Sequence, residues 1–336
     1  MLSARDRRIA ALPAHLQEEL RRRLAGQATQ SDPIPPADRT QPLALSFAQQ
    51  RLWFLDEFQT GSARYHCGLA LRLRGPLQAP VLAAALRELV TRHHSLRTTF
   101  EEVDGTATQL VHPVADVPVP VAECSGAQDL DAVLTAEYSR PFDLRRGPLF
   151  RALLVRLAGG DDGEHVLLLA AHHIVTDGTS MGVLAEELGA LYAAATQERD
   201  VELPALPVQY ADFAAWQRHR LSGPALDGQL RYWTQQLSEI TPLELPADRP
   251  RPQVRTSVGA VAEFVVPAEV VAGLGELARA QDTTLFTVLV AGCQVLFARW
   301  SGQDDIAVGT VVAGRTEPEI EPLIGCFVNA LVLRTD

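Results

Sequence analysis

The stretch EHVLLLAAHHIVTDGTS, residues 164–180, carries the strongest structural signal in the chain. Its first part, residues 164–171, is almost wholly apolar, as expected of a β-strand that is covered on both faces. After the histidine pair and a short loop, apolar residues recur at helical spacing from Ser180 to about Thr196. The sequence therefore predicts a strand, a loop and a helix in direct succession.

The loop of this stretch holds residues that are suited to proton transfer. His172 and His173 leave the strand, Asp177 follows four residues later, and Gly178 permits a sharp turn. Imidazole is the natural group for taking a proton from an amine, hydroxyl or thiol near neutral pH. We therefore predict an acyl-transfer enzyme, or a piece of one, centred on His173. A structural histidine at the end of a strand is the alternative interpretation.

Two other chemistries match parts of the same loop. GTSMG, residues 178–182, fits the GxSxG elbow of serine hydrolases. The strand ends several residues too early for that elbow, so we interpret Ser180 as a helix cap. Metal binding by His172, His173 and Asp177 is the other alternative, but adjacent strand residues point to opposite faces and no further ligand group is close in sequence.

Composition excludes several functional classes. The chain has 336 residues, enough for two cores, and contains no lysine, which excludes a Schiff-base lysine and a P-loop lysine. Its arginines are dispersed among acids at a net charge of -11, which argues against nucleic-acid binding. No apolar run approaches the roughly 20 residues of a membrane span and no signal peptide opens the chain, so we expect no membrane partner and a cytoplasmic location.

The cysteines give no indication of a metal or a cofactor bound by the chain itself. They lie far apart and have neither CxxC nor Cys/His ligand spacing. We expect reduced, mostly buried thiols at all of these positions. The residues concerned are Cys67, Cys124, Cys293 and Cys326.

The order of signals along the chain predicts a helical leader with a proline-rich linker over 1–42, a lobe over 43–240 and a second lobe over 241–336. Ser46 and Gln49 form a capping box that opens a helix, and Asp104-Gly105 joins two strands as a hairpin. The other predicted elements are helices over 80–94, 208–220, 225–239, 268–281 and 284–299, and strands over 148–157, 261–266 and 305–312.

Five ordered segments resemble the motifs of nonribosomal peptide synthetase condensation domains, in the chloramphenicol acetyltransferase-like superfamily. The third contains the signature HHxxxDG. Three positions depart from the usual pattern: His94 replaces a glutamate, Thr179 a common tryptophan and Ala330 a common threonine. The segments are LSFAQQRLWFLDEF (45–58), RHHSLRTTF (92–100), AHHIVTDGTS (171–180), YADFAAW (210–216) and IGCFVNALVLR (324–334).

The resemblance implies an α/β fold, an α+β sandwich of two chloramphenicol acetyltransferase-like lobes, and amide formation between two carrier-bound substrates. His173 is then the catalytic imidazole, acting as general base or orienting the amine. Asp177 holds the loop through an arginine, either Arg299 or Arg315, Gly178 lies beside the reacting groups, and His172 is structural. A hydroxyl acceptor would give an ester at the same site.

The implied partners are upstream and downstream peptidyl carrier proteins, which bring substrates on phosphopantetheine arms, and an adjacent adenylation domain. The form RLWFL in the first motif is similar to the subtype that joins two L-configured residues. The family's last two motifs are absent from the sequence, which stops at residue 336, so we expect an incomplete second lobe. An inactive fragment or a carrier-docking module is the alternative function. Residues 1–30 are either an ordinary helical leader or a docking element.

Overall fold

The computed structural model describes residues 33–58, 61–157, 163–201, 203–251, 253 and 259–335. They form two compact units. One contains residues 33–227 and 312–329, and the other contains the described residues of 228–311 and 330–335. The helices expected in residues 1–30 lie outside the described residues, and a lobe boundary after residue 240 stays a prediction.

Except for the strand expected over 261–266, each helix and strand predicted for the described residues is present in the expected order with boundaries within a few residues, and the elements over 66–73, 121–124 and 127–139 were not predicted. In chain order they are β1 Leu43–Ala44, α1 Phe47–Phe58, β2 His66–Leu73, α2 Ala79–Arg92, β3 Thr98–Val103, β4 Thr106–Val111, β5 Val121–Cys124, α3 Ala127–Ser139, β6 Phe150–Leu157, β7 His165–His172, α4 Gly178–Thr196, α5 Tyr210–Arg220, α6 Pro224–Gln236, α7 Ala268–Ala280, α8 Leu285–Ser301, β8 Ile306–Val312 and β9 Asn329–Thr335.

The main sheet of the first unit places the histidine pair at the end of a central strand. Its order is β2-β7-β6-β5, in which β7 is antiparallel to both neighbours and β5 is parallel to β6. All residues of β7 are buried. One face packs against apolar residues of α2 and α4, and the other against a smaller group from α3. The prediction of a strand covered on both faces is therefore confirmed.

A second sheet, of order β1-β4-β3, also follows from local sequence signals. The β3–β4 hairpin turns at Asp104 and Gly105, which have φ of 51° and 75°, the left-handed values that a two-residue turn requires. At the start of α1, the Ser46 N–H donates to Gln49 Oε1 and the Gln49 N–H to Ser46 Oγ, at 3.0 and 3.1 Å. The predicted hairpin and capping box are both confirmed.

Two segments differ from the sequence-based expectation. In the expected linker, Ile34 is buried among Val208, Phe213 and Ile320, so residues 33–42 belong to the folded unit. The apolar contacts that hold it come from distant parts of the chain, which local composition does not report. Residues 261–266, expected to be a strand, have no regular structure and are exposed, and no described strand pairs with them. The strand prediction there is wrong because a segment rich in apolar residues forms a strand only where a neighbouring strand supplies hydrogen-bonding partners.

The second unit contains α7, α8 and most of the two-stranded sheet β8-β9. Arg334 of β9 forms an ion pair with Asp305, with a shortest distance of 2.6 Å. No single helix among the described residues is long and apolar enough to cross a membrane. The helices α7 and α8 meet that test of length and composition only as a pair, which is bent by 108°.

Candidate active site

The turn that follows β7 fixes the orientation of the His173 ring. Residues 173–175 form a single 3-10 turn, and His173 Nδ1 lies 2.7 Å from the carbonyl oxygen of Thr176. A carbonyl oxygen only accepts hydrogen bonds, so Nδ1 carries the proton of the neutral ring. The unprotonated Nε2 is then the acceptor available to a substrate. This arrangement would allow the half-buried His173 to accept a proton at Nε2.

Cysteine thiols close to this turn are not poised as nucleophiles. Cys326 Sγ lies 3.7 Å from His173 Nδ1, but its side chain is buried and this burial raises its pKa. Burial also raises the pKa of Cys67, to about 11. Because the thiolate is the reactive form, both groups are unreactive near neutral pH. All four cysteines are free thiols, and only Cys293 is exposed.

His172 is buried and contributes a hydrogen bond to the same turn. Its side chain is buried, and Nδ1 accepts the Ile174 N–H at 3.1 Å, which closes the start of the turn. Its ring faces His66 and Phe142, with centroids 6.1 and 6.3 Å apart. Burial, with smaller contributions from His66 and His173, lowers the pKa of His172 to about 3. The ring is therefore neutral near neutral pH.

The two buried histidines His66 and His172 should make the stability of the protein sensitive to acid. Burial lowers the pKa of His66 as well as that of His172. Unfolded histidines titrate near pH 6.5, so below that pH the unfolded chain binds more protons than the folded one. The free energy of unfolding should therefore fall as pH drops from about 6.5 towards about 3. Urea unfolding across this window should show a smaller pH slope for His172→Gln than for wild type. An unchanged slope, or an equal reduction in the exposed control His219→Gln, would contradict the prediction.

Asp177 lies at the centre of a buried hydrogen-bond network. Its side chain is fully buried and caps α4, where Oδ1 accepts the Ser180 N–H at 2.8 Å. Oδ2 accepts the Phe327 N–H at 3.0 Å, and Arg315 Nη2 lies 3.3 Å from Oδ1. Asp177 thus holds the start of α4 against the residues around Phe327. Of the two predicted arginine partners Arg315 takes this place, while Arg299 is exposed on α8.

Arg315 extends the network to the segment that precedes β9. Nη1 donates to the carbonyl oxygens of Ile320, Glu321 and Leu323, at 2.5, 3.0 and 2.8 Å. Its guanidinium group also stacks over the Phe327 ring, 4.2 Å from the centroid. One buried cation therefore joins residues 320–323 and the Phe327 ring to the Asp177 carboxylate.

Ser180 is a structural residue, and its predicted role as a helix cap is wrong. Asp177 is the N-cap because its carboxylate accepts the Ser180 N–H, which places Ser180 inside the first turn. Ser180 Oγ is fully buried, 2.7 Å from Asp177 Oδ1 and 2.9 Å from the Gly325 carbonyl, and it accepts from Arg315 Nη2 at 2.7 Å. This hydroxyl is not accessible to solvent, so the arrangement does not fit a hydrolytic nucleophile.

The other predicted site residue, Gly178, is exposed at the first position of α4. Its backbone is not in the left-handed region, so the turn does not require glycine there, contrary to expectation. A Cβ at this position would meet nothing within 4 Å, so the glycine leaves open space at the helix N-terminus. Exposed Thr179 follows it.

The arrangement does not suit a metal ion. Both Asp177 oxygens accept hydrogen bonds, and Nδ1 of each histidine of the pair is also engaged. Within the described ranges, no group of three or more His, Cys, Asp or Glu residues could hold a metal.

The remaining motif-like segments converge on the same network. The buried hydroxyl of Tyr210 lies 2.8 Å from Ser46 Oγ and donates to the Cys326 carbonyl at 2.5 Å. Ser95 Oγ donates to the Ile324 carbonyl at 2.7 Å. Local spacing could not have indicated these contacts, because they join residues that are 116 or more positions apart.

Close packing at Gly325 makes it a sensitive position. A Cβ on Gly325 would lie 1.9 Å from the ring of Tyr210, which is itself buried and hydrogen-bonded through its hydroxyl group. We expect Gly325→Ala to lower the free energy of unfolding by about 1–3 kcal/mol or more, as overpacking does. Gly182→Ala on the exposed side of α4 is the control and should be neutral or stabilising. Equal urea midpoints for the two variants would contradict the close-packing argument.

Comparison with known proteins places this geometry in a family. The family model described as "Condensation domain" matches residues 39–336. The chain belongs to the condensation domain family. It is 46% identical over 316 residues to one of the linear gramicidin synthase proteins of Brevibacillus parabrevis, covering 92% of the chain but only 4% of that relative's length.

Solved structures show the same fold. The first condensation domain of the CDA synthetase superposes with a TM-score of 0.70 at 26% identity, covering 88% of this chain and 70% of that one. The X-domain in complex with OxyB from teicoplanin biosynthesis gives 0.82 at 30% identity, covering 91% and 67%. This condensation domain therefore has the predicted chloramphenicol acetyltransferase-like α/β fold.

Proposed function

We propose that this condensation domain joins an acyl or peptidyl thioester on an upstream carrier protein to an aminoacyl group on a downstream carrier protein, forming an amide. The observation that carries the proposal is the held His173 ring, with Nδ1–H engaged by the Thr176 carbonyl and Nε2 left as an acceptor. Both carriers present their substrates on phosphopantetheine arms, and an adenylation domain loads the acceptor.

In the proposed reaction the acceptor amine attacks the thioester carbonyl carbon, so a C–N bond forms and a C–S bond breaks. The amine loses one proton to His173 Nε2, and this proton passes to the leaving sulfur, which departs as a thiol on the donor arm. His173 therefore ends the cycle neutral. Holding two tethered substrates in contact supplies part of the rate enhancement without a strong base.

Finer features of the reaction are part of the same proposal. The RLWFL form of the first motif favours an L-configured donor residue. Gly178 lies beside the reacting groups, since its missing side chain leaves open space at the start of α4. A hydroxyl acceptor would give an ester by the same steps.

Mass-spectrometric turnover tests the proposal directly. The chain is mixed with an acylated donor carrier and an aminoacyl acceptor carrier, and the condensed product on the acceptor carrier is counted against time. Product that depends on the chain and on both loaded carriers supports amide synthesis. Release of free acid from the donor carrier instead would indicate a hydrolase.

A docking role without catalysis is the second candidate. One similar structure, the X-domain from teicoplanin biosynthesis, is known in complex with another protein, OxyB. If the loaded carriers bind this chain but no product forms, docking is favoured over synthesis. The engaged His173 ring favours synthesis, since docking alone needs no free imidazole nitrogen at the end of a buried strand.

A further inference from the structure

Gln49 reaches from the start of α1 to the turn that carries His173. The side chain is 1% exposed and its polar atoms are used in hydrogen bonds. Oε1 accepts the Ser46 N–H at 3.0 Å, which completes the capping box. Nε2 has two protons, and it lies 3.1 Å from Gln109 Oε1 and 3.3 Å from the Ile174 carbonyl oxygen. The cap of α1 uses only Oε1 of Gln49, so the two hydrogen bonds of Nε2 are not required for capping.

The Ile174 carbonyl belongs to the turn whose geometry sets the His173 ring. Within that turn the Ile174 N–H donates to His172 Nδ1 and the Thr176 N–H to the His173 carbonyl, at 3.1 and 3.3 Å. Both bonds are local and join residues up to three apart. Gln49 adds a bond from a separate helix, 125 residues away in sequence. It therefore anchors the turn to the rest of the unit.

The position of the Thr176 carbonyl decides which nitrogen of His173 carries the proton. If the turn shifts, the 2.7 Å contact between Nδ1 and this carbonyl weakens, and the ring can rotate or take the other tautomer. In that tautomer Nε2 is protonated and cannot accept a proton from the amine. A displacement of about 1 Å in a catalytic group can cost on the order of 100-fold in rate.

We propose that Gln49 is a positioning residue for His173, acting through the Ile174 carbonyl to keep the Nδ1–H tautomer. The inference rests on the proposed function, in which His173 Nε2 takes the amine proton. The competing explanation is that Gln49 only caps α1. Ser46 separates the two, because it forms the other half of the capping box and has no hydrogen bond to residues 173–176 among the described contacts.

The test compares Gln49→Met with Ser46→Ala in the carrier-based turnover assay. Methionine is close to glutamine in size but cannot donate to Ile174. We expect kcat to fall by about 10-fold or more in Gln49→Met, with KM for both loaded carriers within about twofold of wild type. Ser46→Ala removes the cap acceptor and should lower the Tm, while kcat stays near that of wild type. Equal loss of kcat at equal loss of Tm would overturn the inference.

A spectroscopic readout separates this inference from the proposed activity. The nitrogen-15 chemical shifts of the His173 ring distinguish the protonated nitrogen from the unprotonated one. Wild type and Ser46→Ala should show a single Nδ1–H tautomer, and Gln49→Met a mixture. If the Met variant does not fold, Gln49→Leu, which likewise cannot donate to the Ile174 carbonyl, is measured instead. A single Nδ1–H tautomer in a folded Gln49 variant would overturn the inference even if the wild type proved catalytically inactive.

Discussion

Replacing His173 by alanine should lower kcat for amide formation by about 100-fold, the lower end of the range for loss of a general base. The effect is large because Nε2 is the acceptor that the turn leaves available to the amine. It stays at the lower end because the two tethered substrates remain in contact after the imidazole is lost. Single-turnover measurement with preloaded carriers isolates the chemical step.

The matched control is His219→Ala, which removes an exposed imidazole at the end of α5. It should leave kcat and Tm unchanged. The Tm of His173→Ala should stay within a few degrees of that of wild type. The His173 side chain is only half-buried, and the 3-10 turn is capped by His172, which the substitution leaves in place. Wild-type kcat in a folded His173→Ala protein would show that positioning alone drives the reaction.

Elements with strong local signals could be predicted from the sequence. The apolar run of β7 predicts a strand that is covered on both faces, and the histidines follow it directly. Ser46 with Gln49, and Asp104 with Gly105, satisfy backbone groups within a few residues, so their geometry does not depend on the rest of the chain. The prediction that His173 is the central imidazole rests on the same local pattern and on the family resemblance.

Contacts between distant residues were beyond the reach of the sequence. Arg299 and Arg315 were equivalent candidates until the fold placed Arg315 against Asp177, 138 residues away. Ser180 fits a helix cap by residue type, but the helix begins earlier, at Gly178, because the Asp177 carboxylate accepts the Ser180 N–H. The contact of Gln49 with Ile174 gave no sequence signal, since the capping box already accounted for that glutamine.

Asp177→Asn is expected to have the largest effect on stability, a loss of about 3–5 kcal/mol in the free energy of unfolding. The substitution removes the negative charge but leaves Arg315 buried, with 6% of its side chain exposed. It also places an amide N–H where Oδ2 accepts the Phe327 N–H, so two donors face each other. A loss of this size is a large fraction of the roughly 5–15 kcal/mol that holds a typical domain together.

The exposed pair of Glu57 and Arg145 gives the control, because about half of each side chain is accessible to water. Glu57→Gln should cost about 0–1 kcal/mol. Urea unfolding measures both variants, and the midpoint should move without a change in slope if the denatured state is unaffected. The Asp177→Asn, Arg315→Met double variant should lose less than the sum of the single changes, because each single change leaves the other partner uncompensated. Additive losses would mean that Asp177 and Arg315 stabilise the unit independently, each through its other contacts and not through their ion pair.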